Sequence, residues 1–350
     1  LILLLFFPLF LTAAPIGVVL SLSGPMASLG QETKKGIELA WSILPHKDHT
    51  LIFEDNQSLV EKALSSTQKL IFKDKVSVII GDVGSRITQS IAQLTEKNHV
   101  VLVSPGATSS ELPLGKEYFV QMCFQDIQQS YSAASFIKNT LKLTDGVGLV
   151  QKDSDYSQGL YQGFEKKFKE IGGTLKAPLY YLNNETDFHP YLQKIRKDKP
   201  KFIYFPGHLR EAELFLSHIP KDFIPVVGAD DFDDPKLWKS LKNLPLNFSL
   251  YLTTHAILGK NQDTFTSDFK TKFNERPGHM AALGYDSMAL VLKNLNNKTP
   301  IMESLKKMGS YKGITGTISF NKDKPSSKTV FVGKLQNEEL ALMKEYNSIP

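Results

Sequence analysis

Two small polar loops carry the side chains of this sequence best suited to hold a small charged solute. The first is Gly81-Asp82-Val83-Gly84-Ser85-Arg86 and the second is Ser104-Pro105-Gly106-Ala107-Thr108-Ser109-Ser110. Each follows an apolar run rich in valine, Val76-Ser77-Val78-Ile79-Ile80 and Val100-Val101-Leu102-Val103. Such runs read as buried parallel strands, and open α/β sheets bind ligands at the carboxyl ends of their strands. Hydroxyls and backbone N–H groups at such a point suit a small anion such as a carboxylate. A third loop of this kind, Gly228-Ala229-Asp230-Asp231, follows Ile224-Pro225-Val226-Val227 and presents acids instead. One buried carboxylate there suits an ammonium, and a zwitterion leaving water needs both of its ends paired. Other readings stay open. Ser85 and Thr108 could cap the helices that follow them. Asp230 could be one of several turn acids before Pro235, although their spacing fits no standard calcium loop. Tyr156 could be a surface aromatic, and Arg86 a solvated residue or an attractor of an extra acidic group.

The elements that must position these loops alternate along the chain. Strands are expected at 16–20, 51–54, 76–80 and 100–103. Between them, helices are marked by Ile37, Ala40, Trp41 and Leu44, by Val60, Ala63, Leu64, Leu70 and Ile71, and by Ile87, Ile91 and Leu94. The pattern then restarts, with a helix near 128–141 and strands at 147–150, 179–182, 202–205 and 224–227. The intervening helices carry Leu160, Phe164, Phe168 and Ile171, then Leu192 and Ile195, then residues 211–218. The last hundred residues break the rhythm. A strand and connector are expected at 248–256, helices at 265–275, 280–297 and 302–308, and strands at 313–320 and 330–333. The fold class is α/β, with two doubly wound, largely parallel layers of comparable size.

Composition narrows the function. With 350 residues, 41% hydrophobic and 22% charged, the chain can bury a sizeable core. The net charge of +5 is spread along the sequence. The basic runs near Lys166 and Lys194 are interleaved with acids and read as solvated helix faces, so no nucleic-acid groove is indicated. Residues 1–14 are uncharged and almost wholly apolar, too short to span a bilayer, and end in Leu11-Thr12-Ala13-Ala14. They read as the remnant of a signal peptide, with the mature protein beginning near Pro15 and working, soluble, in the periplasm or otherwise outside the cytoplasm. Cys123, the single cysteine, excludes an internal disulfide and reads as a small buried hydrophobe. The motifs of a nucleophile elbow, a phosphate loop and a zincin helix are absent from the sequence. His46 and His49 flank a polar loop beside Pro45 and read as structural. Neither an enzyme, a metal nor a cofactor is expected.

Taken together, several segments resemble the type I periplasmic binding proteins of branched-chain amino-acid ABC transporters. They are Leu22-Ser23-Gly24-Pro25 with Gly30 and Gly36, Ile80-Gly81 with Ser85, Ser104-Pro105-Gly106-Ala107-Thr108, Asp155-Tyr156-Ser157-Gln158-Gly159, Gly228-Ala229-Asp230, and Gly284-Tyr285-Asp286-Ser287. The resemblance runs from Ile16 to about Phe331. It implies two Rossmann-like lobes, 15–123 plus 255–324 and 124–254 plus 325–350, joined by crossings near 122–125, 252–255 and 322–329. A ligand would lie between the lobes, which close around it by hinge motion.

The resemblance also implies roles. Ser85 and Thr108 would hold a ligand carboxylate, and Gly106, followed by Ala107, would accept from the ammonium through its carbonyl. Asp230 would neutralise the ammonium, and Tyr156 would reach in from the second lobe. Leu29 stands where leucine-binding members carry tryptophan, and His208 or Leu209 where they carry another aromatic. The pocket is therefore expected to be apolar but roomier, and an aliphatic amino acid is the expected ligand. The expected partner is an inner-membrane ABC permease, with the receptor itself monomeric. The alternative is a ligand-sensing or cell-envelope regulatory protein of the same fold.

Overall fold

The computed structural model describes residues 14–46, 48–220, 222–241, 248–259, 264–295, 299–320, 327–336 and 339–347. Residues 1–13, most of the expected signal segment, and 321–326, most of the expected third crossing, lie outside them.

The first half builds β1 (Ile16–Leu20), α1 (Ala27–Ile43), β2 (Leu51–Asp55), α2 (Val60–Gln68), β3 (Val78–Ile80), α3 (Ser85–Lys97), β4 (Val101–Ser104) and β5 (Phe119–Gln121). These strands form one parallel sheet in the order β2-β1-β3-β4-β5. Strands β1, β3 and β4 are buried along their whole length, as parallel strands covered on both faces must be. Their carboxyl ends are tied together by Asp82. It accepts from the Ser21 N–H at 3.1 Å and the Ser21 hydroxyl at 2.9 Å, and that hydroxyl also reaches Asn56. Asp82 thereby anchors the loop that presents Ser85.

The chain then continues through α4 (Asp126–Ser135), β6 (Asp145–Gln151), α5 (Asp155–Glu170), β7 (Thr174–Leu175), β8 (Leu179–Tyr181), α6 (His189–Asp198), β9 (Ile203–Phe205), α7 (Leu209–His218), β10 (Val226–Gly228), α8 (Pro235–Leu241) and β11 (Leu250–Thr254). Three helices follow, α9 (Thr264–Phe273), α10 (His279–Leu295) and α11 (Ile301–Met308), and then β12 (Ser310–Gly313), β13 (Gly316–Ser319), β14 (Ser327–Lys328), β15 (Val330–Gln336) and β16 (Glu339–Tyr346). The second sheet runs β16-β15-β11-β10-β9-β6, with β7 and β8 both on the far edge of β6. Its core is parallel, and β15 and β16 add an antiparallel border. The fold is thus the expected α/β pair of doubly wound layers. The segment expected as one strand over 313–320 is instead a hairpin. Gly313 ends β12, and β13 begins at Gly316, whose positive φ of 83° makes the turn.

The chain passes between the two sheets after β5, after β11 and between β14, which pairs with β13, and β15. The first two passages touch, because Phe124 stacks on His255 with ring centroids 3.6 Å apart. In the third, the Lys328 ammonium is buried and donates to the Thr315 hydroxyl. Asp286 of α10 accepts from the same turn, from Ile314 N–H at 2.9 Å and Thr315 N–H at 2.8 Å.

Helix α10 returns to the first sheet and crosses α1 at two glycines. A Cβ on Gly36 would lie 1.9 Å from the Ala281 carbonyl oxygen, and one on Gly284 would lie 2.2 Å from that of Thr33. The backbones can approach this closely only without those side chains. This contact fixes where α10 begins, and so places His279 and Met280. Gly36→Ala is expected to lower unfolding stability by about 2–3 kcal/mol despite alanine's better helix propensity. Urea denaturation measures this, and an unchanged midpoint would contradict the close crossing.

Candidate functional site

Asp230 begins the turn after β10 and is 3% exposed. Three elements converge on its carboxylate. The Tyr156 hydroxyl, from the first turn of α5, donates to Oδ1 at 2.5 Å, and Gln129 Nε2, from α4, donates to the same oxygen at 2.8 Å. His255 Nε2, just past β11, lies 3.3 Å from Oδ2. Gln129 also accepts from the Asp230 N–H at 3.0 Å and the Thr253 hydroxyl at 2.8 Å, so its amide orientation is set by both neighbours. Burial opposes a charge on Asp230. The His255 hydrogen bond and, in the acid range where that imidazole is protonated, its charge, together with the Tyr156 hydroxyl and the charge of His279, outweigh it and hold the carboxyl well below the usual range. Burial pushes the His255 imidazole down to about 4 against the pull of Asp230. At neutral pH this leaves a neutral imidazole donating to an ionised carboxylate, whose negative charge has no full cationic partner among these three contacts.

His208 enters the same wall from the start of α7. Its Nδ1 lies 2.7 Å from Asp231 Oδ2, its Nε2 lies 3.0 Å from the Ser154 hydroxyl, and its ring stacks on Tyr156 at 5.1 Å. It is a fixed, half-buried side chain, not a solvated loop residue. Burial lowers its pKa, but the bond to Asp231 prevails and the pKa is raised.

On the other side, Ser85 is the first residue of α3, yet no side chain caps that helix. Its hydroxyl instead accepts from the Ser109 N–H at 3.3 Å, which joins the two strand-end loops. Thr108 is followed by turns rather than a helix, so capping is not its role either. Its side chain approaches the carboxyl of Asp126 closely enough to favour ionisation there, and its carbonyl accepts from the Asp126 N–H at 2.9 Å. Gly106 is buried, and a Cβ on it would come 2.9 Å from Met280 Sδ. The Ala107 carbonyl faces inward and accepts from Gln121 Nε2 at 2.6 Å and the Cys123 thiol at 3.1 Å. Cys123 is buried, as expected for a small hydrophobe. Leu29, half-buried on α1, packs on the core under the first sheet.

Asp126 is the group that relates the two sets: its carboxyl meets the Thr108 side chain, and the negative charge of Asp230 is near enough to oppose its ionisation. Sequence reasoning missed Gln129, His255, Asp126 and His279. Glutamine and aspartate at the start of a helix carry no distinctive local signal. The two histidines lie 24 residues apart in sequence, yet their ring centroids are 5.5 Å apart. His279 Nδ1 lies 2.9 Å from the Asp233 carbonyl, and Glu32 of α1 lies beside it. His46 stacks on Trp41 and His49 bonds the Ala14 carbonyl, which are structural roles for both. Among the described residues no group of metal-ligating side chains is found, and no helix is long and apolar enough to cross a membrane.

A profile of the family described as periplasmic binding protein matches residues 14–339. The chain belongs to the periplasmic binding protein family. That is a family of binding proteins and not of enzymes. The Leu/Ile/Val-binding protein BraC3 of Rhizobium johnstonii is 25% identical over 242 residues, 67% of this chain and 65% of that protein. The leucine-specific-binding protein of Salmonella typhimurium is 24% identical over 207 residues, 57% of this chain and 56% of that one. The matched part thus spans less than two thirds of each of these two relatives. Among solved structures, the leucine-binding protein LivK of Thermotoga maritima superposes with a TM-score of 0.82 at 26% identity, covering 95% of this chain and 99% of that one. LivJ of Streptococcus pneumoniae, solved with isoleucine, gives 0.83 at 26% identity with the same coverage. A solute-binding protein of Rhodopseudomonas palustris, solved with 3,4-dihydroxybenzoic acid, gives 0.83 at 20% identity, which speaks for the fold alone.

The periplasmic binding protein has a second acidic group at the edge of this region. Burial pushes Glu32 up to about 7, with His279 opposing and Asp234 and Asp233 adding to the rise. An acid whose folded pKa is raised destabilises the fold once ionised, so this cost is absent below the unfolded value of 4.5 and complete above about 7. Glu32→Gln is therefore expected to stabilise the protein by about 1–3 kcal/mol at pH 8 and to change little at pH 4. Denaturant titrations at the two pH values test this, and equal effects at both would contradict it.

Proposed function

We propose that the protein is the solute receptor of an ABC importer and binds an amino acid with an aliphatic side chain between its two lobes. The lobes proposed are 15–123 with 255–324 and 124–254 with 325–350. Residues 327 and 328 pair with β13 and so extend the first of these sides. The observation that supports the reading is the buried, ionised Asp230 carboxylate, whose three direct partners, Tyr156, Gln129 and His255, are neutral donors at pH 7. A carboxylate in that condition favours a cation, and an α-ammonium offers three donors. Ser85 and the loop around Thr108 would hold the ligand carboxylate, Gly106 and Ala107 would border the ammonium, and Tyr156 and His208 would close the site from the second lobe. Leu29 and Met280 supply apolar surface for the side chain.

Each lobe alone would make only part of these contacts. A ligand that touches both shifts the open–closed equilibrium toward closure. The relatives named for leucine, isoleucine and valine support the amino-acid reading. The ionised Asp230 carboxylate, with no cation among its three direct contacts, supports it as well. Residues 1–14 would serve as an export signal, placing the protein in the periplasm or otherwise outside the cytoplasm. A membrane permease would receive the ligand from the monomeric receptor.

Calorimetry on protein unfolded, stripped of ligand and refolded tests the proposal. Leucine, isoleucine or valine should release heat on binding, and Asp230→Asn should weaken that binding by at least 100-fold, the scale expected when a buried charge loses its partner. Binding of all three unchanged by Asp230→Asn, or no binding by any amino acid, would contradict it.

A further inference from the structure

Asp126 is the acid that the site described above does not yet use. It opens α4 directly after the first passage between the sheets, and its backbone N–H is fixed on the Thr108 carbonyl at 2.9 Å. Its Oδ1 is shut off from solvent and has no hydrogen-bond partner among the described residues. The groups that face it come from every neighbouring element. They are Thr108 from the loop after β4, Asp230 and Asp231 from the turn after β10, Tyr156 from α5, Tyr204 from β9 and Cys123 from the passage itself. No lysine or arginine is among them. The Tyr204 hydroxyl, also buried and without a partner, feels both Asp126 and Asp230. Asp126 Oδ1 and the Tyr204 hydroxyl are thus two buried polar atoms without partners, close enough to Asp230 to feel its charge.

We propose that Asp126 forms the ammonium subsite together with Asp230, so that one cationic group of the ligand is shared between the two carboxylates. This rests on the amino-acid reading of the site. Two carboxylates in one poorly solvated region cannot both be ionised cheaply, and their proton affinities are driven apart. Asp230 keeps its charge through His255, Tyr156 and Gln129. Burial, reinforced by the charges of Asp230 and Asp231, pushes Asp126 up to about 7. An arriving ammonium reverses the balance. It favours the ionised form of Asp126, and the proton that Asp126 carried leaves to solvent as the ion pair forms. Binding therefore releases a proton near and below pH 7, and affinity rises with pH through that range. A carboxylic acid ligand without an ammonium would do the opposite. It would require Asp126 protonated, take up a proton and bind more weakly as the pH rises.

The test is calorimetry with L-leucine at pH 6.5, run in buffers of different ionisation enthalpy to count protons, with affinities measured from pH 6 to pH 8. Wild-type protein is expected to release about half a proton or more at pH 6.5 and to bind several-fold to tenfold more tightly at pH 8 than at pH 6. Asp126→Asn is expected to abolish the release and flatten the pH profile. The wild-type proton count needs no variant, so a variant that fails to fold does not decide the matter. Leucine binding with no proton exchange, with uptake, or with release that persists in Asp126→Asn would overturn the proposal while leaving the receptor reading intact. No heat with leucine, isoleucine or valine would overturn both.

Discussion

A carboxylate kept charged inside the protein is the constraint around which this structure is organised. Asp230 loses its hydration on burial, a cost of several kcal/mol unless its oxygens are paired. The pairing comes from α4, α5 and the segment after β11, three elements far apart in sequence. Gln129 binds Asp230 with both ends of its amide, and Thr253 fixes that amide from a third direction. His255 completes the set and stacks on Phe124, which ties the carboxylate to two of the passages between the sheets. Gln129, Tyr156 and Thr253 all belong to elements on the side of the second sheet, so of these partners only His255 sits where the chain leaves that side.

Around that point the protein is markedly acidic. Asp126, Asp231 and Asp233 lie near Asp230; of the histidines that face them His255 is held neutral, His208 is engaged by Asp231 and Ser154, and His279 lies against Asp233, whose charge helps to raise its pKa. The opposite wall has hydroxyls and backbone rather than charge. Under the proposed function this asymmetry would orient a zwitterion before any side-chain contact is made. In the proposed site, specificity for the side chain would fall to apolar surface from Leu29 and Met280, which lie on the two helices that cross at the close glycine contact.

Much of this architecture is legible in the residues. The strand runs ending at Ile80 and Val103 are apolar on both faces, and the polar loops after them are the only breaks, so periodicity and loop chemistry point to one place. Asp230 was marked by its place in a strand-end loop, and Tyr156 by the family resemblance alone. The supports were not. Gln129 looks like any helix surface residue, and His255 lies in a threonine-rich strand end with no motif. Their value comes only from tertiary proximity. At the level of fold, β16 hides because only Leu340 of its eight residues is buried, so it lacks the alternation that marks a strand. The hairpin of β12 and β13 hides because Gly313 and Gly316 both read as strand residues until one of them must turn. The lobe limits, the export signal and the roles of individual site residues rest on resemblance and remain proposals of this account.

A crystal structure of the protein grown with L-leucine tests the central claim most directly. The account predicts the ligand ammonium within 3.2 Å or so of an Asp230 oxygen and its carboxylate on the Ser85 hydroxyl and the Thr108 loop. A ligand bound elsewhere, or bound between the lobes with Asp230 still turned only toward His255, Tyr156 and Gln129, would contradict it.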